Sequence, residues 1–252
     1  MKLKKFLLIA LLSFGIAQSA LAETNSEKFD RAYQFIEQQN YSAAFPLFKQ
    51  LAEQGLANAQ YNLGVMYKKG RGVAQSDTQA VYWWKKAAEQ GLADAQYNLG
   101  LMYKKGRGVA QSDTQAIYWY TKAAEQGIAE AQSKLGGMYA KGRGVTQNYQ
   151  QAVYWFTKAA EQGDAKVQLL LGLMYENGRS VTQNYQQAVY WYTKAAEQGI
   201  AEAQLYLGVM YEFGRGVQKN VSTAKEFYGK ACDNGNAQGC KDFARLDRKG
   251  GR

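Results

Sequence analysis

The side chains that carry out acid–base, nucleophilic and metal chemistry are sparse in this sequence. Its 252 residues contain no histidine and only two cysteines, Cys232 and Cys240. Without histidine the usual serine and cysteine nucleophiles lack their base, and the common zinc ligand sets cannot be assembled. No catalytic residue, metal or cofactor is therefore expected. The carboxylates Glu89, Glu125, Glu161 and Glu197 recur at a fixed interval instead of converging, and Lys86 and Lys122 stand three residues before the first two. That spacing is the one for solvated ion pairs on a helix surface. The tripeptide Gly106-Arg107-Gly108 occurs in five versions, one of them altered at Ser180. It follows a helical pattern and lacks the preceding strand of a phosphate-binding loop.

What positions these residues is a repeat. Gly55, Gly91, Gly127, Gly163, Gly199 and Gly235 fall 36 residues apart, and the segment from Ala93 to Gly127 is the best copy of the unit. A period of this length denotes stacked supersecondary units. The first half of the unit, Ala93 to Lys105, places Ala95, Leu99, Met102 and Tyr103 on one helical face. Gly100 follows Leu99, and its recurrence at Gly64, Gly136, Gly172 and Gly208 predicts a close helix approach. Gly106 then supplies the left-handed residue of a helix stop. The second half begins at Ser112, which with Gln115 fits a capping box, as do Ser76 with Gln79, Asn148 with Gln151, and Asn184 with Gln187. Ala116, Trp119, Tyr120, Ala123 and Ala124 share its packing face. Gly127 ends it with Ile128 as the apolar contact of a Schellman-type stop, matched at Leu56, Leu92 and Ile200 but not at Asp164 or Asn236. A single hairpin is too small to bury its own stripe, so stability is expected to be shared between neighbours.

The pattern AxAQxxLGxMYxxGxGVxxxxxxAxxWYxKAAEQG resembles the Sel1-like repeat family, the α/α solenoid relatives of tetratricopeptide repeats. Five consecutive copies cover 56–91, 92–127, 128–163, 164–199 and 200–235. The resemblance implies an all-α solenoid of helix-turn-helix repeats in a right-handed superhelix, acting as an interaction scaffold and not as an enzyme.

Residues 1–22 read as a secretory signal peptide: Lys2, Lys4 and Lys5, an apolar run from Phe6 to Ile16, and the small-residue cleavage site Ala20-Leu21-Ala22. A periplasmic or secreted protein is expected, without a later membrane span. Removing three lysines takes the net charge from +10 to +7. In an exported chain that charge points away from nucleic acid and toward solubility or an acidic partner. Residues 23–55 read as a divergent first hairpin, with Pro46 expected to remove one hydrogen bond from its second helix and to kink it. Residues 236–252 begin a sixth first-helix as a cap and end in a basic tail with Arg245, Arg248, Lys249 and Arg252. Cys232 and Cys240 occupy an alanine and a glutamine position of the repeat, near the end of one helix and the start of the next. A disulfide stapling this cap is expected in an oxidising compartment.

The segment KACDNGNAQGC also resembles the secreted cysteine-rich branch of the family, where such a pair recurs in every repeat. That branch implies an alternative function, penicillin or peptidoglycan binding with weak β-lactamase activity. Ser222 and Lys225 fit the Ser-x-x-Lys element of such enzymes, but there is no Lys-Thr-Gly, and Ser76-Asp77-Thr78 is a poor second element.

The tetratricopeptide relatives bind along the inner face of the first helices. By alignment this face carries Asn58, Tyr61, Val65, Lys68 and Lys69 in the first unit. In the second it carries Asp94, Tyr97, Leu101, Lys104 and Lys105. The third has Glu130, Ser133, Gly137, Ala140 and Lys141; the fourth Lys166, Leu169, Leu173, Glu176 and Asn177; the fifth Glu202, Leu205, Val209, Glu212 and Phe213. The groove is expected to be basic and aromatic at one end, acidic and apolar at the other, an asymmetry that would orient a peptide. A second candidate is the ladder Tyr82, Tyr118, Tyr154 and Tyr190 beside the core residues Trp83, Trp119, Trp155 and Trp191. Exposed rings of this kind stack on ligands or cover the seam between hairpins.

Overall fold

The computed structural model describes residues 23–250, with side chains through residue 248. The leader expected at 1–22 lies outside the described residues, as do the side chains of Lys249 and Arg252. Among the described residues the chain forms thirteen α-helices and no strand. In order these are α1 (Asn25–Glu37), α2 (Tyr41–Glu53), α3 (Ala57–Lys69), α4 (Asp77–Glu89), α5 (Ala93–Lys105) and α6 (Asp113–Glu125). They continue as α7 (Ala129–Lys141), α8 (Tyr149–Glu161), α9 (Ala165–Asn177), α10 (Tyr185–Glu197), α11 (Ala201–Phe213), α12 (Val221–Asp233) and α13 (Ala237–Gly250). Each helix packs on the next along the chain, giving an α/α solenoid. Helix α2 continues through Pro46 without interruption.

Local chemistry explains both ends of each helix. Ser76, Ser112, Asn148, Asn184 and Asn220 each accept a hydrogen bond from the backbone N–H three residues on. The reciprocal half of the expected capping boxes is not formed. The N–H groups of Ser76, Ser112 and Asn148 already donate to the carbonyls of Tyr67, Tyr103 and Tyr139 in the preceding helix, so the glutamine has nothing to satisfy. The full box occurs at Thr24 and Glu27 instead. The second helices stop as expected: Gly91 has φ of 93°, and Leu92 N–H donates to the Ala87 carbonyl. Asp164 and Asn236, the two departures from the apolar pattern, cap the following helix with their side chains.

Leu63, Leu99, Leu135, Leu171 and Leu207 are all 0% exposed. The recurrent glycine after each of them faces an aromatic ring of the paired helix. A Cβ on Gly100 would lie 2.7 Å from Cδ1 of Tyr120, and the same clash would occur between Gly64 and Trp84, Gly172 and Tyr192, and Gly208 and Tyr228. The close approach read from the recurring glycine is therefore that of a ring.

Units are joined by a ladder of buried amides. Gln60, Gln96, Gln132, Gln168 and Gln204 are buried and donate to the carbonyls of Ala52, Ala88, Ala124, Ala160 and Ala196 in the unit before. Their side-chain carbonyls accept from Gln90, Gln126, Gln162, Gln198 and Asn234 at distances of 2.8–2.9 Å. Where a sixth rung would stand, Cys240 is joined to Cys232 by a disulfide, with Cα atoms 4.5 Å apart. The expected cap is thus a covalent replacement of one amide rung. α13 is further held by Lys225 with Asp247 and by Arg245 with Glu212.

Candidate functional site

The first helices α3, α5, α7, α9 and α11 share one burial pattern: an inward face of alanine (Val167 in α9), glutamine, leucine, glycine and methionine, and beside it a half-buried stripe. In α3 this stripe carries Tyr61, Val65 and Lys68, with Asn58 and Lys69 exposed at the two ends; in α5 it carries Tyr97, Leu101 and Lys104, with Asp94 and Lys105 exposed. Leu169, Leu173 and Glu176 of α9 and Leu205, Val209 and Glu212 of α11 are also half-buried, and Phe213 is exposed.

Neighbouring first helices are tied together by tyrosine and asparagine. Asn62 donates to the hydroxyl of Tyr33 at 3.2 Å, and Asn98 lies 3.5 Å from that of Tyr61. Burial raises the pKa of Tyr61, with Asp94 adding to the shift. Burial likewise raises that of Tyr97, with help from Glu130. The asparagines were not among the residues read from the sequence as functional. Their signal was the repeated Tyr-Asn-Leu-Gly at 61–64 and 97–100, which ends where Lys134 replaces asparagine.

Part of the charge expected along this stripe is engaged inside the fold. Lys68 is bound to Asp77 at 2.6 Å, and Arg107 reaches the other oxygen of the same carboxylate at 3.0 Å. The bond from Lys68, aided by that from Arg107, holds Asp77 below its ordinary pKa. Lys104 lies 3.8 Å from Asp113. At the other end, Glu176 accepts from the Tyr192 hydroxyl at 2.6 Å and faces Arg215 at 3.8 Å. Glu212 accepts from Tyr228 at 2.8 Å and from both terminal nitrogens of Arg245 at 2.7 Å. Lys68, Lys104, Glu176 and Glu212 are therefore engaged from within, while Lys69 and Lys105 stay exposed with no ion pair among the described residues. The reason is structural: this position sits beside the ring of the paired helix and the loop of the next unit, and its charge is used there. Burial first, and the glutamate bonds second, raise the pKa of Tyr192 and Tyr228. Tyr120 has no such glutamate, and its buried hydroxyl lacks a partner.

The Tyr82, Tyr118, Tyr154 and Tyr190 ladder is real and 49–50% exposed. Each ring meets its neighbouring tryptophan at near right angles with centroids 4.8–4.9 Å apart. Lys86, Lys122 and Lys158 lie over the first three rings at 5.1–6.0 Å. Those lysines do not make the expected pairs with the glutamates three residues on. Only Lys194 with Glu197 does so, at 4.0 Å, while Glu89 faces Lys85 at 3.9 Å. Each ring thus has internal contacts to its tryptophan, and three of the four to a lysine, while about half of its surface stays exposed.

Ser222 is exposed in the first turn of α12, and Lys225 is turned to Asp247 at 2.5 Å and lies over the Phe243 ring. The lysine is thus engaged in the contact between α12 and α13. No cluster of metal-ligating side chains occurs among the described residues, and no helix there is long and apolar enough to cross a membrane.

A family model of the Sel1 repeat matches residues 29–56, 57–92, 93–128, 129–164, 165–200 and 201–236. The first of these segments falls in the hairpin that the sequence showed as divergent. Among solved structures, a protective antigen present in uropathogenic Escherichia coli strains, displaying an SLR fold, is similar at 35% identity and a TM-score of 0.85. The match covers 92% of this chain and 51% of that one, so the chain spans about half the length of that protein. A Sel1 repeat protein from Oxalobacter formigenes is similar at 36% identity and a TM-score of 0.77, over 84% of this chain and 88% of the other. No curated protein matches significantly.

Proposed function

The chain belongs to the Sel1 repeat family, and from that premise we propose that it is an exported, non-enzymatic scaffold that grips an extended segment of another protein along its first helices. Sel1 repeats typically serve as protein–protein interaction scaffolds. The observation that carries the reading is a contrast within the chain. The buried leucine, glycine and glutamine of every first helix are the same, while the half-buried stripe beside them changes from Tyr61 and Tyr97 to Ser133, Leu169 and Leu205. An invariant frame presenting a variable stripe can read a sequence of side chains, one unit after another.

Export is supported by the basic, apolar and small-residue order of residues 1–22 and by the disulfide at Cys232 and Cys240, which persists in oxidising compartments. Mass spectrometry of the mature protein tests it: the expected first residue is Glu23. Absence of enzymatic activity is supported by the lack of histidine and by the engagement of Lys225 in the cap.

The binding surface is tested with a photo-crosslinking side chain at Leu101 in cells, followed by mass spectrometry of the adducts. A reproducible protein partner is expected, lost when Tyr61, Tyr97 and Leu169 are changed to alanine together, with the crosslinker kept at 101 and helicity retained. Adducts that persist in that variant would place binding elsewhere.

A further inference from the structure

Two adjacent glycines in α7 have different reasons to exist. A Cβ on Gly136 would press on the Phe156 ring at 2.7 Å, so packing requires that glycine. A Cβ on Gly137 would meet nothing within 4 Å. Glycine weakens a helix interior, and here the fold gains no close approach in return. The same register carries Val65, Leu101, Leu173 and Val209 in the other first helices. In three of them the apolar side chain packs on the cluster of the paired ring: Val65 on that of Trp84, Leu173 on that of Tyr192 and Val209 on that of Tyr228. No residue of this register packs on the cluster of Phe156, the most exposed of the five rings at 6%. Ser133 and Ala140, one turn to either side, are small as well. The half-buried stripe thus has a gap at its centre, bounded by Tyr97 and Leu101 on α5 and by Leu169 and Leu173 on α9.

Two unpaired cations stand at one end of the gap, and Glu130, which adds to the shift of Tyr97, stands at the other end of α7. Lys105 and Lys141 are exposed at the ends of α5 and α7, and no carboxylate among the described residues pairs with either. A helix dipole favours a cation at such an end, yet α9 and α11 finish with Asn177 and Phe213, so the helices do not depend on one. With Lys104, Glu176 and Glu212 engaged from within, these lysines set the field at the C-terminal end of α7, where an acidic flank would meet them, while Glu130 holds the other end.

We propose, building on the scaffold reading above, that the gap over Gly137 is the anchor site for a bulky apolar side chain of an extended partner segment whose flanking residues are acidic. The anchor fills the place that a leucine takes in the other units and buries the Phe156 ring. The flanking carboxylates meet Lys105 and Lys141, which sets orientation and encounter rate more than affinity.

The test uses the full mature chain and a random-sequence peptide display library as the probe. The expected result is enrichment of peptides with one leucine, phenylalanine or tyrosine flanked by aspartate or glutamate. A second protein, Gly137→Leu, fills the gap with the side chain of the neighbouring units. It is expected to melt no lower than the parent, because the new Cβ meets nothing within 4 Å and leucine holds the same register in α5 and α9, and to bind the selected peptides at least about tenfold more weakly, a change of about 1.4 kcal/mol. Lys105→Glu with Lys141→Glu is expected to shift the selected flanks from acidic to basic. Peptides that bind the parent and Gly137→Leu equally would overturn the anchor and leave the scaffold reading standing. Selection of acidic peptides without a bulky residue, displaced by heparin, would overturn it in favour of a general polyanion surface. No enrichment at all would also overturn it, and the crosslinking experiment at Leu101 then decides the scaffold reading separately.

Discussion

Gly136 and Gly137 allow a sharp test of how the fold is held, because substituting either by alanine changes the same helix by the same atom. Alanine gains about 1 kcal/mol over glycine in a helix interior. At 137 nothing opposes that gain, since no atom lies within 4 Å of the new Cβ. At 136 the methyl would stand 2.7 Å from Cδ1 of Phe156 and 3.1 Å from the Ala152 carbonyl oxygen. Overpacking of this kind costs about 1–3 kcal/mol. Gly137→Ala is therefore expected to stabilise the protein by about 1 kcal/mol, which is about 2–4 °C in Tm for a chain of this length. Gly136→Ala is expected to lie about 1–3 kcal/mol below it. The helix-propensity gain cancels in that difference, leaving the steric cost of the ring contact alone. Urea unfolding followed by far-ultraviolet circular dichroism and by tryptophan fluorescence measures both, with coincidence of the two probes showing whether the units melt together. Equal stability for the two variants, or a more stable Gly136→Ala, would refute the ring-on-glycine account.

Ser180 holds φ of 69° where the other four units have glycine, and a Cβ at Gly144 in the same register would lie 2.5 Å from the carbonyl carbon of Asp113. Left-handed backbone costs a non-glycine residue about 1–2 kcal/mol, so Ser180→Gly is expected to raise Tm by a few degrees in a thermal melt. Changing Cys232 and Cys240 together to alanine opens a short loop and is expected to cost about 2–3 kcal/mol, seen first as faster amide exchange in α13. Tyr192 and Tyr228 have raised pKa values when folded, so the stability linked to them is complete below the unfolded tyrosine value near about 10 and is lost as pH rises beyond it. Absorbance near the tyrosinate band is expected to show these two ionising only as helicity is lost. Asp77 is shifted the other way: its contribution is present above about 4 and is lost as pH falls. The stability gap between the parent and Asp77→Asn is expected to shrink on acidification through that range.

Most of the architecture was legible because a repeat writes each structural requirement several times over. Leu99, Gly100, Ser112 and Gly127 each announce a core position, a ring contact, a cap or a stop, and the neighbouring units confirm the register. Charge was less legible, for a physical reason. The partner of Lys68 is 9 residues away, that of Arg107 is 30 and that of Glu212 is 33, and only the stacking of units shows that they meet. Reading Lys68, Lys104 and Glu212 as groove charges treated side chains as free that the fold had already engaged. The capping boxes failed in the same way. Ser112 and Gln115 have the right spacing, but the N–H that Gln115 would have satisfied is taken by the Tyr103 carbonyl across the loop. Lys86 was assigned to Glu89 from spacing, although a half-exposed aromatic ring one turn away was an equally close target.

The buried glutamines impose a rule on how such a chain can change length. Gln132 donates to Ala124 in the preceding unit and accepts from Gln162 in its own. If residues 93–128 were excised, Gln132 would find Ala88 in place of Ala124, and every amide would keep both partners. A cut that is not a whole number of periods would strand one of them in the interior, at a cost of about 1–3 kcal/mol. Tandem gain or loss of whole periods is thereby nearly neutral, while slippage by a few residues is penalised at once. The sulfur bridge at the far end marks where that freedom stops, because a cystine offers no amide for a further period to join.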